Sequence, residues 1–235
     1  TPKRYLRFFG ALPSDCFKQL VFKSIDGPLP VKLIQVFTAV AQGLERLEFD
    51  ITGDKCVNEI TKCQAIYSLV ASAEKLQSLR LAHDGLSESS IVKILNYAPA
   101  TLTSLAVTKN ISQELIDLIP AKFTQLTSLS LPNANSTKYD IPDSYLNLTT
   151  LTSLHVGCTT PVIRSLIGKL QNVHTIKVSN VDDLALLLET LAIHSESLLH
   201  LKINAIGISQ YNILELFPNL RVLELGGEEA NASWG

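Results

Sequence analysis

Two pairs of reactive side chains stand close together in the sequence, His155 with Cys158 and Cys56 with Cys63. A cysteine beside a histidine makes a nucleophile and its base, provided that a third group orients the imidazole. No orienting residue is identifiable near His155 and Cys158, so their closeness is read as chance. Cys56 and Cys63 share roughly one face of an expected helix. A metal site wants closer pairs and a second cluster of ligands, and none is visible. Buried thiols of this kind behave as small hydrophobes. His83, His174 and His194 are read as turn or surface residues. The sequence holds no phosphate-binding loop, paired-carboxylate motif or nucleophile elbow. It is therefore read as non-enzymatic, with no cofactor and no metal. What remains is a recurrence: His155, Lys177 and Lys202 follow one another at 22 and 25 residues. Such spacing brings side chains together only if the chain returns to one place at that interval.

The chain does return. A phrase of apolar, two variables, apolar, one variable, apolar occurs nine times, beginning at Phe17, Leu44, Leu76, Leu102, Leu126, Leu151, Val173, Leu198 and Leu220. The copies start 22 to 32 residues apart, a period that belongs to stacked repeats. Thr101–Thr108 shows the local logic. From Leu105 apolar and small or polar residues alternate, as a strand with one buried face requires. Ser112, Gln113 and Glu114 then open a helix with a capping hydroxyl and an acidic first turn. Leu115, Ile116, Leu118 and Ile119 face the same core, and Pro120 discourages continuation.

Other repeats follow this plan. Thr160 and Pro161 start a helix, Asp182 precedes another, and Ser87 or Ser89 caps a third. The longest helix is expected between the second and third strands, from about Cys56 to Ser72. A short or 3₁₀ helix is expected in Ile141–Leu148, after the turn-rich stretch Pro132–Asp140. Strand–turn–helix units connect by right-handed crossovers, which stack their strands in parallel with the helices outside. The fold class is therefore α/β: a curved solenoid of about nine repeats, with the parallel sheet concave and the helices convex. One domain is expected over residues 1–235. Residues 1–15 form an N-terminal cap in which Tyr5, Leu6, Phe8, Phe9 and Leu12 cover the first repeat. The repeats occupy 16–227, and 228–235 is a tail.

The phrases LTSLAV (Leu102–Val107), LTSLSL (Leu126–Leu131) and LTSLHV (Leu151–Val156) resemble the leucine-rich repeat superfamily. The resemblance covers roughly residues 15 to 227. That family's asparagine, three positions after the last apolar residue, is matched at Asn110, with Asp84 as a substitute. Ile25, Ala134, Thr159, Val181, Ile206 and Glu228 fill the slot elsewhere. Helix-bearing, irregular repeats are more similar to the intracellular subclasses. Leu216–Leu225 (LFPNLRVLEL) resembles the arrays of F-box proteins and of nucleotide-binding immune receptors. The resemblance implies the substrate-reading region of an F-box-type ubiquitin ligase adaptor. The alternative it implies is the ligand-sensing array of an innate immune receptor, or a pathogen effector. No F-box and no phosphate-binding loop accompany the repeats, so a ligase-recruiting or signalling module is expected outside this chain.

Partners follow from charge. With 20 basic and 22 acidic residues well mixed along 235 positions, the chain has no basic stripe, which argues against nucleic acid. No apolar run approaches the length of a membrane span. Outward strand positions are therefore the expected contact surface for a protein: Arg46, Glu48, Arg80, Ser104, Ser130, His155, Lys177, His200, Lys202 and Asn204. Their later part is rich in Lys and His, and an acidic or phosphorylated segment is expected to dock there. A second contact is expected at an uncapped C-terminal end. The chain begins at Thr1 without methionine and is read as a processed product or a fragment. Four scattered cysteines argue for free thiols in the cytoplasm or nucleus, against four glycosylation sequons at Asn110, Asn135, Asn147 and Asn231.

Overall fold

The computed structural model describes residues 16–25, 31–52, 59–83, 85–108, 111–131, 139–157, 161–181, 183–205 and 213–226. Its contacts group into two units, Thr1–Leu126 and Thr127–Gly235.

The first unit alternates strands and helices: β1 (Gln19–Ile25), α1 (Val31–Thr38), β2 (Arg46–Thr52), α2 (Glu59–Ser72), β3 (Ser78–His83), α3 (Glu88–Tyr97), β4 (Ser104–Val107) and α4 (Gln113–Lys122). The strands pair in chain order and in parallel, with Leu20, Leu47, Leu79 and Leu105 side by side in one row. Phe22, Phe49, Leu81 and Val107 form the next row, so the apolar phrase of the sequence becomes the inner face of the sheet. Leu47, Leu79, Leu105, Phe49 and Val107 are sealed from solvent. At the first repeats aromatic rings fill the width: Phe22 stacks on Phe49 at 5.0 Å and meets Phe37 edge-on. Helices α1 to α4 contact one another in order and cover the inner face with residues such as Ile34, Ile66, Leu95 and Ile119.

The second unit holds β5 (Ser128–Leu131), a 3₁₀ helix at Asp143–Asn147, β6 (Ser153–Val156), α5 (Pro161–Lys169), β7 (Thr175–Val181), α6 (Leu184–Leu191), a 3₁₀ turn at Ala192–His194, β8 (His200–Ala205), α7 (Ile213–Leu216) and β9 (Val222–Gly226). Its strands are again parallel and in order, with Leu129, Leu154, Ile176, Leu201 and Leu223 in one row. The expected 3₁₀ helix buries Tyr145 and Leu148 in the place that a full helix takes elsewhere.

Strand entry uses one device in both units. The Glu45 carbonyl accepts the N–H groups of Gln77 and Ser78, and Gln77 does the same for Thr103 and Ser104. Thr127, Thr152, His174 and Leu199 repeat the arrangement. Each carbonyl therefore has both lone pairs occupied before the ladder begins, and the corner leaves no orphaned backbone group. Asn172 and Asn219 add side-chain amides to carbonyls of the preceding turn, Thr149 and Glu196, at 2.8 Å each.

Helix starts follow the sequence with two corrections. Ser87 caps α3 and Ser112 caps α4, each accepting an N–H three residues on. The cap of α6 is Asp183, which takes the Leu186 N–H at 2.9 Å; Asp182 lies outside the described residues. Asp183 wins because a carboxylate at that position reaches the third amide of the helix. Pro120 does not end α4, which runs on to Lys122. Proline there forfeits one bond, to the Ile116 carbonyl, and its ring is buried. Pro161 is the first residue of α5, as its missing N–H allows. The N-terminal cap, Cys56, Thr160, Cys158, most of the stretch after Leu131 and all sequons except Asn147 lie outside the described residues. Asn147 is exposed.

Candidate partner-binding face

Alternation along each strand sends one set of side chains into the core and the other to the opposite face, as in the buried and half-buried pattern of β4, β5 and β6. Parallel pairing then lines the outward set up in rows, each row crossing its unit from strand to strand. In the second unit one row reads Ser130, His155, Lys177, Lys202 and Glu224. All ten predicted residues stand on strands, and the structure gathers them into separate clusters.

In the first unit Glu48 lies between two arginines. Its Oε2 accepts from Arg46 Nη2 at 3.3 Å, and its Oε1 lies 3.3 Å from Arg80 Nε. Arg80 Nε makes no hydrogen bond there, so that contact is Coulombic. Glu48 is 8% exposed, and the two guanidinium groups stay near the surface around it. These cations are therefore partly occupied within the chain. Ser104 is half-buried, opposite Ser78 in register.

In the second unit His155 bridges two serines: Ser130 Oγ lies 3.0 Å from Nδ1 and Ser179 Oγ 3.3 Å from Nε2. Ser179 is next to the irregularity between Val178 and Val181, where β7 shifts register against β8. A neutral imidazole carries one N–H, so in either tautomer one hydroxyl donates to the ring and the other accepts from it. A serine on a histidine suggests a nucleophile and base. Yet the far ring nitrogen meets a serine, where a triad places an acid to hold the tautomer and stabilise the imidazolium.

Glu224 organises the end of the same row. It accepts from Lys202 Nζ at 2.5 Å and from His200 Nε2 at 2.9 Å. The hydrogen bond from Lys202, then that from His200, holds its carboxyl below the usual carboxylate range. Asn204 is exposed and turns its side-chain oxygen toward Gly226, where an added Cβ would meet it at 2.5 Å. Lys177, half-buried between His155 and Lys202 in the row, takes part in no ion pair or hydrogen bond among the described residues. The predicted contact set omits Glu224 and Ser179, which hold its members in place. The missing signal was pairing across strands, which a period of 22 to 25 residues contains only once its register is known.

Elsewhere the histidines behave differently from expectation. His194 is 4% exposed, not at the surface, and its Nε2–H donates to the Ile167 carbonyl at 3.0 Å. It fills the end of α5, whose last carbonyls need donors. His174 is half-buried at a strand entry, and the side chain of His83 lies outside the description. A lysine serves the same purpose at another helix end. Lys122 Nζ donates to the Leu95 and Asn96 carbonyls, and its burial lowers its pKa. Lys169 Nζ reaches the Ile141 carbonyl and Asp143, whose carboxyl it holds low. Cys63 is buried against the Ser90 carbonyl and Cys16 is exposed. Among the described residues no three His, Cys, Asp or Glu side chains gather to hold a metal ion. None of their helices is long and apolar enough to cross a membrane. A groove of about 440 Å³ between α2 and α3, walled by Tyr67 and Lys93, lies away from the strand face.

No family model and no curated protein matches the sequence. Solved structures do match. A leucine-rich repeat-containing protein of Legionella pneumophila, LegL7, aligns over 96% of this chain and 88% of its own, with 15% identity and a TM-score of 0.47. The chain of TLR13 in a complex with ssRNA13 aligns over 93% of this chain, with 15% identity and a TM-score of 0.51. This chain spans 34% of that one. Internalin C2 of Listeria monocytogenes aligns over 90% and 96% of the two chains, with 16% identity and a TM-score of 0.39. At such identities the likeness is one of fold.

Proposed function

We propose, for a chain that has the leucine-rich repeat fold, that its outward strand face recognises a protein segment of acidic or phosphorylated character. The observation that carries this reading is Lys177, a cation without a counter-charge among the described residues, in a row of aligned polar side chains. Ser130, His155, Lys202 and Asn204 stand around it as contact residues. Arg46, Glu48, Arg80 and Ser104 form the contact set of the other unit. Lys202 and His200 are held by Glu224, so they give the face its shape while Lys177 gives it its charge. A face built of aligned polar side chains, with serine hydroxyls at both ring nitrogens of His155, suits binding.

The finer role we propose is that of the substrate-reading array of an F-box-type ubiquitin ligase adaptor in the cytoplasm or nucleus. It is supported by the helix-bearing repeats and by the Leu216–Leu225 stretch. The second reading is an innate immune or pathogen array. The TLR13 structure contains single-stranded RNA, which makes RNA the comparison ligand. The test is binding of the full chain to an array of acidic, phosphorylated and neutral peptides, with single-stranded RNA alongside. Acidic or phosphorylated spots should bind, and Lys177→Glu should lose them. Equal binding by wild type and Lys177→Glu overturns the face. Binding of RNA alone replaces a protein partner with a nucleic-acid one. Co-purification with a ubiquitin ligase scaffold separates the two finer roles.

A further inference from the structure

The charges of the second unit's strand face do not suit every anion equally. Its described ionisable side chains are Lys177 on β7, His155 on β6, Lys202 and His200 on β8, and Glu224 on β9; β5 contributes hydroxyls. Glu224 takes both Lys202 and His200, which leaves Lys177 as the uncompensated charge among them. Strands are about 4.8 Å apart, so Glu224 lies roughly 10 Å from Lys177 across the row. Physiological salt screens charges beyond about 8 Å, so a single anion at Lys177 feels Glu224 weakly. A run of carboxylates laid across the strands would meet Glu224 directly.

Donor count points the same way. In either tautomer of neutral His155, one of the two serine hydroxyls accepts from the ring. That serine keeps its own proton for another acceptor. Protonated His155 donates to both oxygens and frees both hydroxyl protons. Together with the ammonium of Lys177 next in register, the chain of Ser130, His155 and Ser179 offers several donors around one point. A phosphate carries about −1.5 to −2 charges and three acceptor oxygens, which such a cluster can satisfy; a carboxylate offers two oxygens and one charge.

Resting on the reading that a protein segment docks on this face, we infer that Lys177 and the Ser130–His155–Ser179 chain form a subsite for one phosphomonoester, a phosphoserine or phosphothreonine. A run of acidic side chains is the ligand it disfavours. Occupancy by the dianion stabilises the imidazolium through the freed hydroxyls, so binding and protonation of His155 reinforce each other.

The experiment uses the full chain and three peptides: an alanine-flanked phosphoserine peptide, its unphosphorylated twin and an oligoglutamate. Binding is read by fluorescence anisotropy, and His155 by the NMR signals of its ring. The phosphoserine peptide should bind at least about tenfold more tightly than its twin, as one charge-assisted contact allows. It should move the His155 titration midpoint upward. Lys177→Gln should abolish both effects, and Lys177→Arg should keep them. Oligoglutamate binding as tightly as phosphoserine, with the same loss in Lys177→Gln, overturns the phosphate subsite and leaves acidic docking standing. No preference for phosphoserine over its twin overturns the subsite as well; the peptide array then decides docking by itself.

Discussion

Glu48 offers the sharpest test of how the outward face distributes its charges. At 3.3 Å from Arg46 and 3.3 Å from Arg80, each attraction is about 5 kcal/mol at an effective dielectric constant of about 20. Little of that survives as stability. The guanidinium side chains are 55% and 40% exposed, and exposed pairs are worth about 0.2–1 kcal/mol each. The carboxylate side chain is only 11% exposed, which puts both contacts near the upper end of that range. Glu48→Gln should therefore cost roughly 2 kcal/mol, because two cations lose one shared partner. A double-mutant cycle with Arg80→Gln should show coupling of about 1 kcal/mol, as contacting residues in one network do. Urea denaturation followed by circular dichroism measures both, and added salt should shrink the coupling. Strict additivity of Glu48→Gln and Arg80→Gln would refute the shared carboxylate. Arg46 and Arg80 would then be free cations, and Lys177 would lose its special standing.

Three further outcomes are expected. Leu154 is sealed in the row between Leu129 and Ile176, so Leu154→Ala should cost about 3–5 kcal/mol in a urea melt. A loss below 1 kcal/mol would contradict a packed inner row. Ser112→Ala removes the acceptor for the Leu115 N–H and should cost about 1 kcal/mol, with faster amide exchange confined to the start of α4. The Glu224 carboxyl is depressed in the folded state, so its contribution is present above the unfolded pKa and lost as pH falls through the folded value. Lys202→Gln should move that carboxyl's NMR titration back toward the ordinary range, and an unmoved titration would refute the cause assigned.

Some elements could be read before folding because their signals are local. The cap at Ser112 needs only a hydroxyl three residues before an amide, and the 3₁₀ helix of Asp143–Asn147 is expected after the turn-rich stretch that precedes it. The passage of α4 through Pro120 depended on where a helix could rest against the core. His194 was misread for the same reason. A polar residue after a helix looks exposed until a neighbouring helix end, here the Ile167 carbonyl, supplies its partner.

The amino-acid order by itself determined the repeat, the inward rows of Leu, Ile, Val and Phe, and the identity of the side chains left outside. Those follow from a two-residue alternation within strands and from one interval between them, both properties of the chain in one dimension. Tertiary structure alone decided which outward charges are spent on each other. Glu48 shares two arginines, Glu224 holds Lys202 and His200, His155 joins two serines, and Lys177 has none of these ties. Apart from Arg46 and Glu48 on one strand, these ion pairs depend on distances of a few ångströms between residues 22 to 32 positions apart, and only the packed register fixes those distances.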